Sequence, residues 1–239
     1  MVSSHPFDNT RNRRSTVCQV WNCPHRLILT TRITSSCKCI AISGCPGFHP
    51  NDPSQYFTIA SHGFVTGGDV RHPLGKSHII GIADKKFGET DISLCCITDS
   101  QINYTVNSFA GSNDGIMLGK MVKEEGVWIG KELFFDSPLT GLGTGYVVAH
   151  GTRAIPSDSP DPELHYVANL WVSFDYGEND PREGCCGSPL FDKDGDVYAF
   201  FHYYTTDDIT TSYCPSVDPL IQTGYSLGNV STIAPSQRT

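Results

Sequence analysis

Cys186 lies in the run Gly184-Cys185-Cys186-Gly187-Ser188-Pro189-Leu190-Phe191. Turn residues follow at 192–196, and then the apolar run Val197-Tyr198-Ala199-Phe200-Phe201-His202. A reactive side chain flanked by glycines sits on a tight turn, with backbone N–H groups beside it that can receive a developing oxyanion. That is the requirement of acyl transfer, and Cys186 is the candidate nucleophile. An ordinary thiol, with a pKa of about 8.5, is only slightly ionised at neutral pH, so it needs a basic partner. His62 offers one, at the end of the β-branched and aromatic run Tyr56-Phe57-Thr58-Ile59-Ala60. Asp91, at the mouth of the apolar run Ile92-Ser93-Leu94, offers a carboxylate to fix the imidazole tautomer.

Each residue has a plainer reading. A single cysteine is most often a small buried hydrophobe, a histidine can sit on a surface loop, and an aspartate can simply open a strand. Ser188 is a poor alternative nucleophile because it precedes Pro189 and lies beyond the presented position. Cys185 reads as buried packing, with a vicinal or resolving disulfide to Cys186 as the alternative.

The three segments occur in the order His, Asp, Cys, and together they resemble a trypsin-like (chymotrypsin-fold) peptidase with cysteine in place of the nucleophilic serine, as in viral 3C-like proteases. Ala60-Ser61-His62-Gly63-Phe64 is similar to that family's histidine block, Asp91-Ile92-Ser93-Leu94 to its aspartate block, and 184–189 to its nucleophile block. The last block also resembles the potyviral protease pattern and a motif of bacterial and fungal trypsin-like domains. The resemblance implies a catalytic triad of His62, Asp91 and Cys186, with the backbone N–H groups of Gly184 and Cys186 as oxyanion hole. Cys185 stands where cellular enzymes carry aspartate, which argues against activation by a freed N-terminus.

The same resemblance implies a substrate pocket built from Asp180, His202, Tyr203 and Tyr204, with conflicting preferences. Asp180 resembles an acidic pocket base that would select Lys or Arg. His202 resembles the pocket histidine of Glu- and Gln-cleaving relatives, and its plain reading is an outward-facing strand residue. The balance leans towards an acidic or amide side chain. The cluster Cys18, Cys23, His25, Cys37, Cys39 and Cys45 raises a zinc reading, but its gaps do not repeat a paired C-x₂-C pattern, so no metal and no cofactor is expected.

Short strand-like runs recur along the chain: 16–21, 26–30, 38–42, 56–60, 77–82 and 91–97, then 126–129, 145–150, 166–172, 187–191, 197–204 and 223–227. This predicts an all-β chain of two six-stranded antiparallel β-barrels, chymotrypsin-like by the resemblance. Residues 1–14 read as a disordered, Arg-rich segment, 15–115 as an N-terminal barrel carrying His62 and Asp91, 116–228 as a C-terminal barrel carrying Cys186, and 229–239 as a tail.

The chain has 239 residues, of which 38% are hydrophobic, enough to bury a core without disulfides. A net charge of −8 argues against nucleic acid or an anionic membrane as partner. With no apolar leader or membrane span in the sequence, the expected place is the cytoplasm, where the ten cysteines would stay mostly free thiols. The reading is a cysteine endopeptidase acting on polypeptide, either alone or as a module of a larger protein. The alternative is an inactive trypsin-like domain that binds a peptide by strand addition.

Overall fold

The computed structural model describes residues 26–28, 32–35, 40–42, 45–72, 78–99, 103–105, 116–137, 140–156, 164–174, 185–204 and 211–227. Expectations for 1–14, 16–21, 229–239, Asp180 and Gly184 lie outside these residues, as do those for Cys18, Cys23, His25, Cys37 and Cys39 of the zinc reading.

The strands are β1 (Arg26–Ile28), β2 (Arg32–Ser35), β3 (Ile40–Ile42), β4 (Pro46–His49), β5 (Asp52–Ala60), β6 (Asp69–Arg71), β7 (Ile79–Lys86), β8 (Ile92–Ile97) and β9 (Asn103–Thr105) in the first half. In the second half they are β10 (Glu132–Ser137), β11 (Gly141–Pro156), β12 (Leu164–Phe174), β13 (Pro189–Phe191), β14 (Val197–Phe200), β15 (Tyr203–Tyr204), β16 (Thr211–Pro215) and β17 (Ser226–Leu227). One short helix, α1 (Asp218–Gln222), precedes the last strand.

The all-β, two-sheet expectation holds. The strand count differs: the sheets have eight and seven strands, ordered β17-β4-β5-β8-β7-β6-β2-β3 and β14-β13-β10-β11-β12-β16-β15, with β1 and β9 forming a separate parallel pair. The extra strands arise where runs that read as continuous bend and change partners. The run 197–204 splits after Phe200, because β14 pairs with β13 whereas β15 pairs with β16. Residues 126–129 are not a strand: a 3-10 turn at Glu124–Gly126 leads into a turn closed by Gly130 at φ +85°, and Trp128 and Ile129 stay exposed.

The pattern of burial explains which runs form strands. β5 alternates at its start and is then buried from Tyr56 to Ala60, as suits a strand covered on both faces as it reaches the meeting point of the sheets. Phe57, Ile59, Ile80, Ile92 and Leu94 fill the first core, and Leu133, Phe135, Leu170, Val172 and Leu190 the second. Each such side chain contributes about 1.5–3 kcal/mol on burial.

The two cores meet, since Phe191, Val197 and Phe200 of the second sheet pack into the first. The chain also crosses back. The sequence assigned 116–228 to the second barrel, whereas β17 pairs antiparallel with β4, and Val217, Leu220 and Tyr225 lie in the first core. Asp218 ties this return segment down by accepting hydrogen bonds from Glu124 N at 3.0 Å and Ser216 Oγ at 2.6 Å. No helix among the described residues is long and apolar enough to cross a membrane.

Candidate active site

His62 sits in a one-turn 3-10 helix, Ser61–Gly63, at the exit of β5, and Asp91 immediately precedes β8, the antiparallel neighbour of β5. The Ala60–Ile92 pairing brings the two residues to the same end of the sheet. Asp91 adopts φ +59°, the one positive φ at a non-glycine among the described residues. A short polar side chain tolerates this left-handed conformation better than most. The turn lets Asp91 hold the histidine segment by backbone and side chain together. Its carbonyl accepts Ser61 N–H at 2.9 Å, its Oδ1 accepts His62 N–H at 2.6 Å, and its Oδ2 lies 2.7 Å from His62 Nδ1. Ser61 Oγ and Ser93 Oγ, 2.7 Å apart, brace the same strand ends.

Cys186 comes from the second sheet, on the turn that leads into β13. Gly187 adopts φ +91°, which favours glycine, and its N–H donates to Phe201 O at 2.9 Å. Phe201 N–H returns a bond to Ser188 O at 2.8 Å, and Ser188 N–H donates to Cys185 O at 3.1 Å. Residue 186 is thereby fixed at the junction of the sheets. Its thiol donates to His202 O at 2.8 Å, and the side chain stands close enough to His62 to act on the imidazole's pKa. Cys185 points the other way. It is fully buried in the second core, 3.2 Å from Ser137 Oγ, which is the packing role read from the sequence.

The electrostatics follow from this geometry. The hydrogen bond to Asp91, seconded by the neighbouring Cys186, raises the His62 pKa to about 10 against the opposing effect of burial. Burial alone would push the Asp91 carboxyl up, but its contacts with His202 and His62 outweigh burial and bring it to about 2. His62 remains half exposed at 49%, whereas the Asp91 side chain is 15% exposed. The imidazole therefore has one face open to an incoming molecule and its far nitrogen held in the protein.

His202 lines the site from the second sheet. Its Nδ1 is 2.6 Å from Asp91 Oδ2, the same oxygen that meets His62, and the two imidazole rings are 5.3 Å apart, tilted by 51°. The ring nitrogen is not aligned for a regular hydrogen bond with that oxygen, so the two groups meet as a close polar contact. Tyr203 and Tyr204 continue as β15, paired with Tyr213 and Ser212. A cavity of about 10 Å³ lies behind the site, lined by Thr58, Ala60, Asp91, Gly187, Phe201 and His202. Its volume suits a single water and not a substrate side chain.

His62, Asp91 and His202 bring three ligand-capable atoms within 4.8 Å of one another. The 2.6 and 2.7 Å N–O separations are those of proton-mediated contacts. Ligands on one zinc ion, with bonds of about 2.0–2.1 Å, would stand roughly 3.3 Å apart.

The sequence reading anticipated His62, Asp91 and Cys186, and these three do come together. It missed the contact of His202 with Asp91 and the Ser61–Ser93 brace. Ser93 was visible beside Asp91 in the run Asp91-Ile92-Ser93-Leu94. His202 was marked as a candidate pocket residue, but nothing local marked Asp91 as its neighbour, because the two belong to different sheets.

No protein-family model matches this sequence, and no curated protein matches it by sequence. Among solved structures it superposes on Thermobifida fusca protease A with a TM-score of 0.63 at 14% identity, over 84% of this chain and 98% of that one. It superposes on Nocardiopsis protease with a TM-score of 0.62 at 14% identity, over 85% of this chain and 100% of that one. For Cellulomonas bogoriensis chymotrypsin the values are 0.61 and 14%, over 85% and 98% of the two chains. At such identity the likeness concerns architecture, and this chain has the chymotrypsin-like double-barrel fold.

Proposed function

We propose that the chain is a cysteine endopeptidase that hydrolyses peptide bonds through Cys186, His62 and Asp91. The observation that carries this reading is that His62, held at Nδ1 by the Asp91 carboxylate, and Cys186, on its turn at the junction of the sheets, meet at one site, both against His202. The fold, shared with solved proteases, supports it.

In the proposed cycle the Cys186 proton already rests on His62, in keeping with the raised His62 pKa, and the sulfur attacks the scissile carbonyl carbon, forming a C–S bond and an oxyanion. The N–H groups of Gly184 and Cys186 would receive that oxyanion. As the C–N bond breaks, His62 passes the proton to the leaving amine. Water then attacks the thioester with His62 as base, which releases the carboxylic product and restores the starting pair. Asp91 holds the imidazole in the tautomer that each step needs.

The test is brief iodoacetamide treatment of the reduced protein at pH 6, with labelled cysteines mapped by mass spectrometry in wild type and His62→Ala. Fast labelling confined to Cys186 and lost without His62 is expected, together with peptide turnover that Cys186→Ala abolishes. Labelling of Cys186 no faster than that of the other cysteines would remove the peptidase reading and leave a peptide-binding domain on the same fold.

A further inference from the structure

We infer that His202 is a positioning residue of this site: its imidazole is a second partner of the Asp91 carboxylate and holds that carboxylate ionised and turned towards His62. The catalytic consequence rests on the peptidase reading, whereas the contact itself does not.

Three observations support the inference. Asp91 Oδ2 has an imidazole nitrogen on each of two sides, His62 Nδ1 at 2.7 Å and His202 Nδ1 at 2.6 Å. The His62 contact is a hydrogen bond and the His202 contact a close approach of the ring nitrogen, and one carboxylate oxygen has room for both. Asp91 is also mostly buried, at 15% exposure, where every polar neighbour counts towards keeping a carboxylate ionised. Its contact with His202 is the foremost influence holding its pKa down against burial.

His202 is itself fixed by its backbone. Its carbonyl accepts the Cys186 thiol at 2.8 Å, and the buried Cys214 thiol lies beside its backbone. The titratable groups facing it from the packed elements are Asp91, His62, Cys186 and Cys214. The break between β14 and β15 falls at residues 201–202, so the departure of the chain from one strand partner to the next is what carries this imidazole to Asp91. One residue therefore touches both the thiol, through its carbonyl, and the carboxylate, through its ring.

Asparagine at 202 would place an amide N–H near the position of Nδ1 without a group that ionises, whereas alanine removes the donor. The experiment is a ¹³C NMR titration of the Asp91 carboxyl in wild type, His202→Ala and His202→Asn, with the downfield proton of His62 Nδ1 recorded in parallel. His202→Ala is expected to raise the Asp91 midpoint by about one pH unit or more and to weaken the His62 Nδ1 proton signal. His202→Asn is expected to restore most of both. An unchanged Asp91 midpoint in His202→Ala would overturn the inference.

If the alanine variant does not fold, ¹⁵N NMR of His202 in the wild-type protein decides. A protonated Nδ1 facing Asp91 supports the inference, and a neutral ring protonated only at Nε2 overturns it. Neither readout needs substrate or a reactive thiol. Slow alkylation of Cys186 with an intact Asp91 response would therefore remove the peptidase reading alone, and fast alkylation with no Asp91 response would remove the role of His202 alone.

Discussion

Asp91 holds His62 at two points, with Oδ1 on the backbone N–H at 2.6 Å and Oδ2 against Nδ1 at 2.7 Å, from a residue whose own backbone is left-handed at φ +59°. Position and protonation of the imidazole thus depend on one side chain.

Asp91→Asn and Asp91→Ala should separate those two roles. Asparagine tolerates the left-handed backbone and should lose only the contribution of the charged pair, while alanine should lose about 1–2 kcal/mol more from backbone strain. Both should slow Cys186 alkylation at pH 6. For peptide turnover the loss should stay below the ~10⁴-fold that a serine triad suffers without its carboxylate, because a thiolate leans less on the third member. Urea melts and timed alkylation check the two halves.

Stability should depend on pH at both ends through this pair. His62 is raised in the folded state to about 10, so its contribution is fully present below the unfolded value near 6.5 and is lost as pH rises towards 10. Asp91 is lowered to about 2, so its contribution is present above 3.8 and is lost as pH falls towards 2. Urea melts of wild type and His62→Ala from pH 6 to 10 should therefore converge as pH rises. A gap that widens with pH would contradict the assignment. Half exposure of His62 will keep the effect modest.

Lys131→Met should be among the more damaging substitutions far from the site. Lys131 Nζ lies 2.9 Å from Asp192 Oδ2, both side chains are buried, and Tyr198 OH donates to the same oxygen at 2.9 Å. Removing the lysine strands a buried carboxylate, at a cost of about 3–5 kcal/mol. Adding Asp192→Asn should recover part of that loss, although Asp192 Oδ1 also accepts Asp194 N–H and Asp196 N–H in the hairpin before β14. A double-mutant cycle by urea denaturation measures the coupling.

Gly195→Ala should disrupt that same hairpin. Gly195 has φ +79°, and a Cβ there would stand 1.8 Å from Met117 O, a backbone atom that has nowhere to go. Backbone strain and overpacking together should cost roughly 2–5 kcal/mol. Gly67→Ala is the control: its φ is +81° but a Cβ would meet nothing within 4 Å, so only the strain of about 1–2 kcal/mol should appear in thermal melts.

The sequence alone determined the class of fold and the identity of three of the grouped residues, because both rest on local features. Alternation of apolar residues defines strands such as β5 and β8 whatever their partners, and a cysteine between glycines marks a tight turn wherever it lands. Strands with weaker local pattern were missed: β10, Glu-Leu-Phe-Phe-Asp-Ser, buries both members of its Asp136-Ser137 end, which alternation does not foretell.

What the tertiary structure decided is everything that depends on which strand lies beside which. The run 197–204 reads as one strand, yet it divides at His202 because β13 and β16 compete for successive halves of it. The return of β17 to β4 likewise needed the first core to receive Val217, Leu220 and Tyr225. The meeting of His202 with Asp91 joins residues from different sheets, and no short-range pattern records a contact that exists only once both sheets have packed. Sequence spacing carries the periodicity of a strand, whereas the partner of a polar side chain at the junction of two sheets is fixed by long-range packing.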